Sequence, residues 1–171
     1  MNDIQQKAIH YKRKVAGSFM AITQEDISSK ISGDQVYITT KIDGEFNLLH
    51  FDGKQSMVVN GSGKIKDDLP LLKSATKLLK DQKIKSLSVA CELHLSTQDH
   101  RSRVFEVISA ISKKKDSLTV SPFDIVALDG EDYAENDYQK TIEKLTELFK
   151  NNDEINLYRL ETSSIIIITN N

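Results

Sequence analysis

The chain has no tryptophan, a single cysteine (Cys91), only two prolines (Pro70 and Pro122) and no surplus of either charge. One cysteine excludes an internal disulfide framework, and a reducing, cytoplasmic setting is the default for such usage. With 23 basic against 25 acidic residues the net charge is −2, so the total does not announce nucleic acid. Any such contact must come from local basic clusters. No apolar run approaches the roughly 20 residues that cross a bilayer, and the polar residues 1–6 lack the apolar core of a signal peptide. With so few prolines, element boundaries must be read from Asn/Asp/Gly turns and from periodicity. What is present is ordinary for a globular chain: 39% hydrophobic and 28% charged over 171 residues, long enough for one domain with a sizeable core.

Two kinds of period share the chain. Ile4, Ala8, Tyr11 and Val15 predict a short amphipathic helix, with Lys7, Lys12, Arg13 and Lys14 on its polar side. Residues 16–32 read as a loop and a short helix. Strand formers fill 36–40 and 46–51, and a further strand is expected over 55–59, leading into the flexible turn Asn60-Gly61-Ser62-Gly63. Asp67, Asp68 and Pro70 mark a helix start, after which Leu71, Leu72, Ala75, Leu78 and Leu79 recur at helical spacing. In 86–95, Leu87, Val89, Cys91, Leu93 and Leu95 alternate, which puts Glu92 and His94 on the opposite face of a strand. A helix over 103–112, a strand over 118–128 interrupted by Pro122, and a helix over 137–150 follow, with strand-like residues at 154–160 and 165–168. Strands and helices mix without regular βα alternation. The expected fold is therefore α+β, with largely antiparallel sheet flanked by helices.

Chemistry concentrates at Thr39-Thr40-Lys41-Ile42-Asp43-Gly44. A lysine ends one strand, and an Asp-Gly turn carries the chain into the next. A lysine so placed becomes a nucleophile when burial or a neighbouring cation lowers its pKa. The plain alternative is a surface lysine before an ordinary hairpin. Lys-x-Asp-Gly arises by chance in about one chain of this length in thirty, so the remaining residues must decide. Glu92 follows on a strand, and Phe123-Asp124-Ile125-Val126 lies on a later one, ahead of Asp129-Gly130. Taken singly, Glu92 is a common type of exposed strand carboxylate and Phe123 a common type of core aromatic.

The order and pitch of these motifs resemble the nucleotidyltransferase (adenylation) domain of ATP-dependent DNA ligases, a superfamily shared with RNA ligases and mRNA capping enzymes. The resemblance runs from about Ser18 to about Tyr158. It implies that Lys41 attacks the α-phosphate of ATP and keeps AMP as a lysyl-AMP phosphoramidate. AMP then passes to the 5′-phosphate of nicked DNA, or of another polynucleotide, and a 3′-hydroxyl displaces it to seal the strand. Mg²⁺ or Mn²⁺ would offset the phosphate charge. It also implies that Glu92 contacts the ribose, that Phe123 stacks on adenine, that Thr39 and Thr40 line the base pocket, and that Asp43 and Gly44 shape the turn presenting the amine. Such enzymes serve DNA repair and replication.

The sequence also departs from the family. Phe46 stands where the family often has arginine, and Val59 where it usually has another; both changes remove phosphate or ribose contacts. After Asn152 there is neither the Glu-Gly metal motif, nor the Lys-x-Lys motif that grips the α-phosphate, nor the barrel domain that usually follows. The chain is thus expected to be one partial nucleotidyltransferase domain over 1–171: a helical arm at 1–32 and a mixed α/β core at 33–171 lacking its last motifs. The missing C-terminal segment or a partner chain would complete it. Alternatives are a nucleotide- or nucleic-acid-binding fragment without catalysis, and an RNA ligase or capping-like enzyme. Cys91 and His94 fall on opposite faces of a strand and a fourth ligand is not evident, so a structural zinc site is not expected. His100-Arg101-Ser102-Arg103 and Lys113 to Lys115 read as solvated clusters or phosphate contacts. Ile165 to Ile168 forms an apolar edge expected to self-associate unless covered.

Overall fold

The computed structural model describes residues 1–23, 25–31, 41–96, 103–133 and 137–150. Six strands form one antiparallel sheet in the order β3-β2-β1-β4-β5-β6: β1 Glu45–Phe51, β2 Ser56–Asn60, β3 Ile65–Lys66, β4 Leu87–Leu95, β5 Leu118–Leu128 and β6 Glu131–Asp132. Helices α1 (Asp3–His10), α3 (Leu71–Asp81), α4 (Val104–Ser112) and α5 (Tyr138–Phe149) pack on it, and a single-turn helix, α2 (Ile27–Lys30), follows α1 in the chain. The expected α+β antiparallel architecture is what the chain adopts. The strands expected over 36–40, 154–160 and 165–168 lie outside the described residues, as do His100, Arg101 and Ser102. Among the described residues no helix is long and apolar enough to cross a membrane.

Local chemistry sets the turns. Asp52 Oδ1 accepts the N–H groups of Lys54 and Gln55, each at 2.8 Å, and Gly53 takes φ +89°, which closes the β1–β2 hairpin. Asn60 Oδ1 accepts from Ser62 N (3.1 Å) and Lys64 N (2.9 Å), folding the Asn60-Gly61-Ser62-Gly63 turn back into β3. At Asp129-Gly130 both residues take positive φ, as a tight hairpin into β6 requires. Asn2 caps α1 reciprocally with Gln5, and Asp137 accepts the Lys140 N–H at the start of α5. Pro70 sits just before α3, where its missing N–H leaves no intrahelical bond unmade. Pro122 does not end β5. The strand runs through it, and a register shift opposite Ala90 and Cys91 absorbs the irregularity.

The sheet divides its two faces sharply. On one, Leu49, Phe51, Val89, Cys91, Leu93, Val120 and Ile125 meet α3, α4 and α5 in a closed apolar core. Burying each of the larger side chains contributes roughly 1.5–3 kcal/mol. On the other, α1 lies across β1 and β2 with Ala8 against Leu48 and Val59. Its continuation, a π-helical turn over Tyr11–Val15, brings Tyr11 onto Phe46 and Ala90. Alternation separates these sets in β1, β2 and β4; in β5 the register shifts change the parity, so that Val120 and Ile125 share a face.

Candidate nucleotide site

Lys41-Ile42-Asp43-Gly44 leads directly into β1, whose register sets Glu45 opposite Leu93 and Phe46 opposite Glu92. The Gly44 N–H donates to Glu92 Oε1 at 3.2 Å. A Cβ at Gly44 would lie 2.0 Å from the Leu93 carbonyl oxygen and 2.9 Å from Glu92 Cγ. Only glycine lets the loop approach β4 this closely, so the motif glycine is a packing requirement. Lys41 Nζ ion-pairs with Asp43 Oδ1 at 2.5 Å, and the lysine side chain is 81% exposed. The amine therefore sits at an open rim above Glu92, not in an enclosed cavity.

Glu92 is half-buried. Burial pushes its carboxyl above the usual range. The Gly44 N–H and the charges of Lys12 and Lys41 act in the opposite direction, and Asp43 pushes it further up. Lys12 Nζ lies 5.2 Å from the centroid of the Phe46 ring. On the same face, Ser121 pairs with Glu92 across β4 and β5, and His94 Nε2 and Ser121 Oγ are 2.8 Å apart. Burial lowers the His94 pKa, which favours the neutral ring.

Phe123 belongs to an aromatic group that periodicity could not announce. Tyr11 stacks on Phe46 with centroids 5.7 Å apart and planes 6° from parallel, and meets Phe123 at 6.4 Å with a 53° tilt. The Tyr11 hydroxyl donates to Asp124 Oδ2 at 2.6 Å. Burial, then the hydrogen bond between them, raises the Tyr11 pKa, and burial raises that of Asp124. The structure thus joins Lys41, Asp43, Gly44 and Glu92 through the loop, and links Phe123 to Glu92 by way of Tyr11 and Phe46. Thr39 and Thr40 lie outside the described residues. Sequence reasoning missed Tyr11 and Lys12 as site neighbours; their sole signal was the basic, amphipathic pattern of residues 4–15.

A groove of about 490 Å³ opens elsewhere, lined by Gln55, Ser56, Thr76 and Lys77 among others, on the α3 side of β2. It lies by the Ser56 end of β2, opposite Phe51, whereas the Lys41 loop enters β1 at the other end, at Glu45. No group of three His, Cys, Asp or Glu among the described residues could hold a metal ion.

A family model described as ATP dependent DNA ligase domain matches residues 15–166. Two solved structures share the fold, the mycobacterial DNA ligase D complexed with ATP and MES and the ligase domain from M. tuberculosis LigD. Each has a TM-score of 0.53 and 20% sequence identity over 67% of this chain and 36% of that chain. This chain therefore spans about a third of the length of either. No curated protein sequence matches it.

Proposed function

The chain belongs to the ATP-dependent DNA ligase domain family, and from that premise we propose that it carries the adenylation half-reaction, with Lys41 as nucleophile. The observation that carries this reading is the Gly44–Glu92 hydrogen bond. It ties the Lys41 loop to the strand whose carboxylate would meet the nucleotide's ribose. In the proposed step the neutral Lys41 amine forms a P–N bond to the α-phosphorus of ATP, and the α–β bridging P–O bond breaks. Pyrophosphate leaves and lysyl-AMP remains. Asp43, 2.5 Å from the amine, is the acceptor within reach for its proton. Glu92 would accept a ribose hydroxyl and Phe123 would stack on the base. The AMP would then go to a 5′-phosphate of nicked DNA. The Mg²⁺ or Mn²⁺ that the family implies finds no three-ligand cluster among the described residues, and no step is assigned to it. A cytoplasmic setting accompanies this reading.

The 81% exposure of Lys41 favours a second reading, in which the chain binds nucleotide and reacts only when a further segment or a partner chain closes over the amine. The test is incubation with α-labelled ATP and Mg²⁺ or Mn²⁺, followed by denaturation. Acid-labile label on wild type and none on Lys41→Ala supports catalysis. ATP binding without label supports the second reading. Neither binding nor label overturns both.

A further inference from the structure

We propose that Lys12, on the N-terminal arm, is a phosphate-binding residue of the nucleotide site: it holds ATP by its charge and takes no part in making bonds. The inference rests on the reading of the Lys41–Glu92 face as a nucleotide site.

Four observations place Lys12 there. Its stem lies against the β2–β3 turn, where a Cβ at Gly61 would come within 2.9 Å of Lys12 Cγ. Its ammonium lies 5.2 Å from the centroid of Phe46, the residue directly across the strand pair from Glu92. Glu92 feels the charges of Lys12 and Lys41 together, so two cations far apart in sequence act on one carboxylate. The arm that carries Lys12 is also fixed: Gln5 Nε2 donates to the Gly63 carbonyl at 2.7 Å, and Tyr11, the adjacent residue, is anchored to Asp124 and stacked on Phe46.

Charge decides what such a lysine can do. Lys41 is already engaged by Asp43. Lys12 forms no ion pair among the described residues and rests over a ring face, a weaker partner than a phosphate oxygen. A triphosphate brings several negative charges to a face that already carries Glu92 and Asp43, and binding there needs a cation not committed to a carboxylate. A lysine on a long flexible stem, held at its base and unpaired at its tip, suits a phosphate as a point charge. On the same grounds it should read phosphate and ignore the nucleoside.

The test is equilibrium dialysis of the full chain against labelled ATP and, separately, labelled adenosine. Lys12→Ala should weaken ATP binding about tenfold, the usual loss for a charged hydrogen bond at a partly solvated site, and leave adenosine binding unchanged. Lys12→Arg should restore ATP binding. Gly61→Val, which pushes the stem aside, should reproduce part of the loss. Lys14→Ala, removing a neighbouring charge, should have no effect. Lys12→Ala should still unfold in a single cooperative transition, so that lost binding is not lost folding. Wild-type ATP affinity in Lys12→Ala overturns the inference while the proposed function stands, and so does an equal loss for ATP and adenosine. A wild-type chain that binds no ATP overturns the proposed function and this inference with it.

Discussion

On the face covered by α3, α4 and α5, strands β1 and β4 present Leu49, Phe51, Val89, Cys91 and Leu93, all shut from water. On the opposite face the same two strands present Phe46, His50, Ser88 and Glu92, under an arm that covers only part of them. Sequence neighbours such as Cys91 and Glu92 therefore have opposite fates. The thiol, fully buried, is driven above its usual pKa by desolvation and donates to the Asn47 carbonyl at 3.2 Å. The carboxyl one residue on is half-buried, and burial raises its pKa against the pull of a loop N–H and two lysine charges. A period of two lets one strand seal the main core with odd positions and, on the proposed reading, leave even ones such as Glu92 for ligand chemistry. Each set can then be altered without rewriting the other.

Several substitutions bear on this division. The largest effect should come from the helical face: Phe51→Ala should cost about 3–5 kcal/mol in urea unfolding. Phe46→Ala should cost distinctly less, because its cluster is small and borders solvent; equal losses would mean that the second face is also core. Next is Gly44→Ala. Its Cβ would meet a backbone oxygen at 2.0 Å, and a strand carbonyl cannot step aside as a side-chain tip can. The loop must lift from β4 at roughly 1–3 kcal/mol, and nucleotide binding should fall with it. Retained binding would show that the Gly44–Glu92 contact does not position the site.

Tyr11→Phe should cost about 1–3 kcal/mol at neutral pH, since it strips the donor from a half-buried carboxylate. Burial raises the folded pKa of Asp124, so protonation relieves the penalty, and the deficit should shrink as pH falls through the carboxylate range. A pH-independent deficit would contradict that account. The smallest and most telling effect concerns Glu92, whose folded pKa is also raised. A raised carboxyl contributes stability below its unfolded pKa and loses it as pH rises through the folded value. Glu92→Gln should therefore melt slightly higher than wild type at pH 7, match it in acid, and bind nucleotide more weakly. Such a trade marks a residue kept for function. A lower melting temperature at pH 7 would assign Glu92 to structure instead.

Much of this arrangement was legible in the residues. Alternation over Leu87 to Leu95 put Glu92 opposite Cys91, and helical spacing from Leu71 to Leu79 found α3. Asn60-Gly61-Ser62-Gly63 and Asp129-Gly130 marked their turns through side-chain and positive-φ chemistry, which is local; the hairpin expected at Asp43-Gly44 does not form on β1, whose two edges are taken by β2 and β4. What was not legible depends on contacts between distant residues. Tyr11 reaches Asp124 across 113 positions, and no local pattern tells which sheet face an amphipathic arm will cover. Phe46 was noted for the arginine it replaces, but the lysine over its ring comes from a different element. The two-residue strands β3 and β6 are too short to show a period. Pro122 suggested a break, whereas the sheet accommodates it with a register shift.

Amide chemical-shift mapping during an ATP titration reads both faces of the sheet at once. If nucleotide binds at the Lys41–Glu92 face, shifts concentrate at Gly44, Phe46, Glu92, Ser121 and Phe123, with Lys12 among them. The helical face, and the groove around Ser56 and Thr76, should stay silent. Shifts centred on Ser56, Thr76 and Lys77, with Gly44 and Glu92 unmoved, would contradict it.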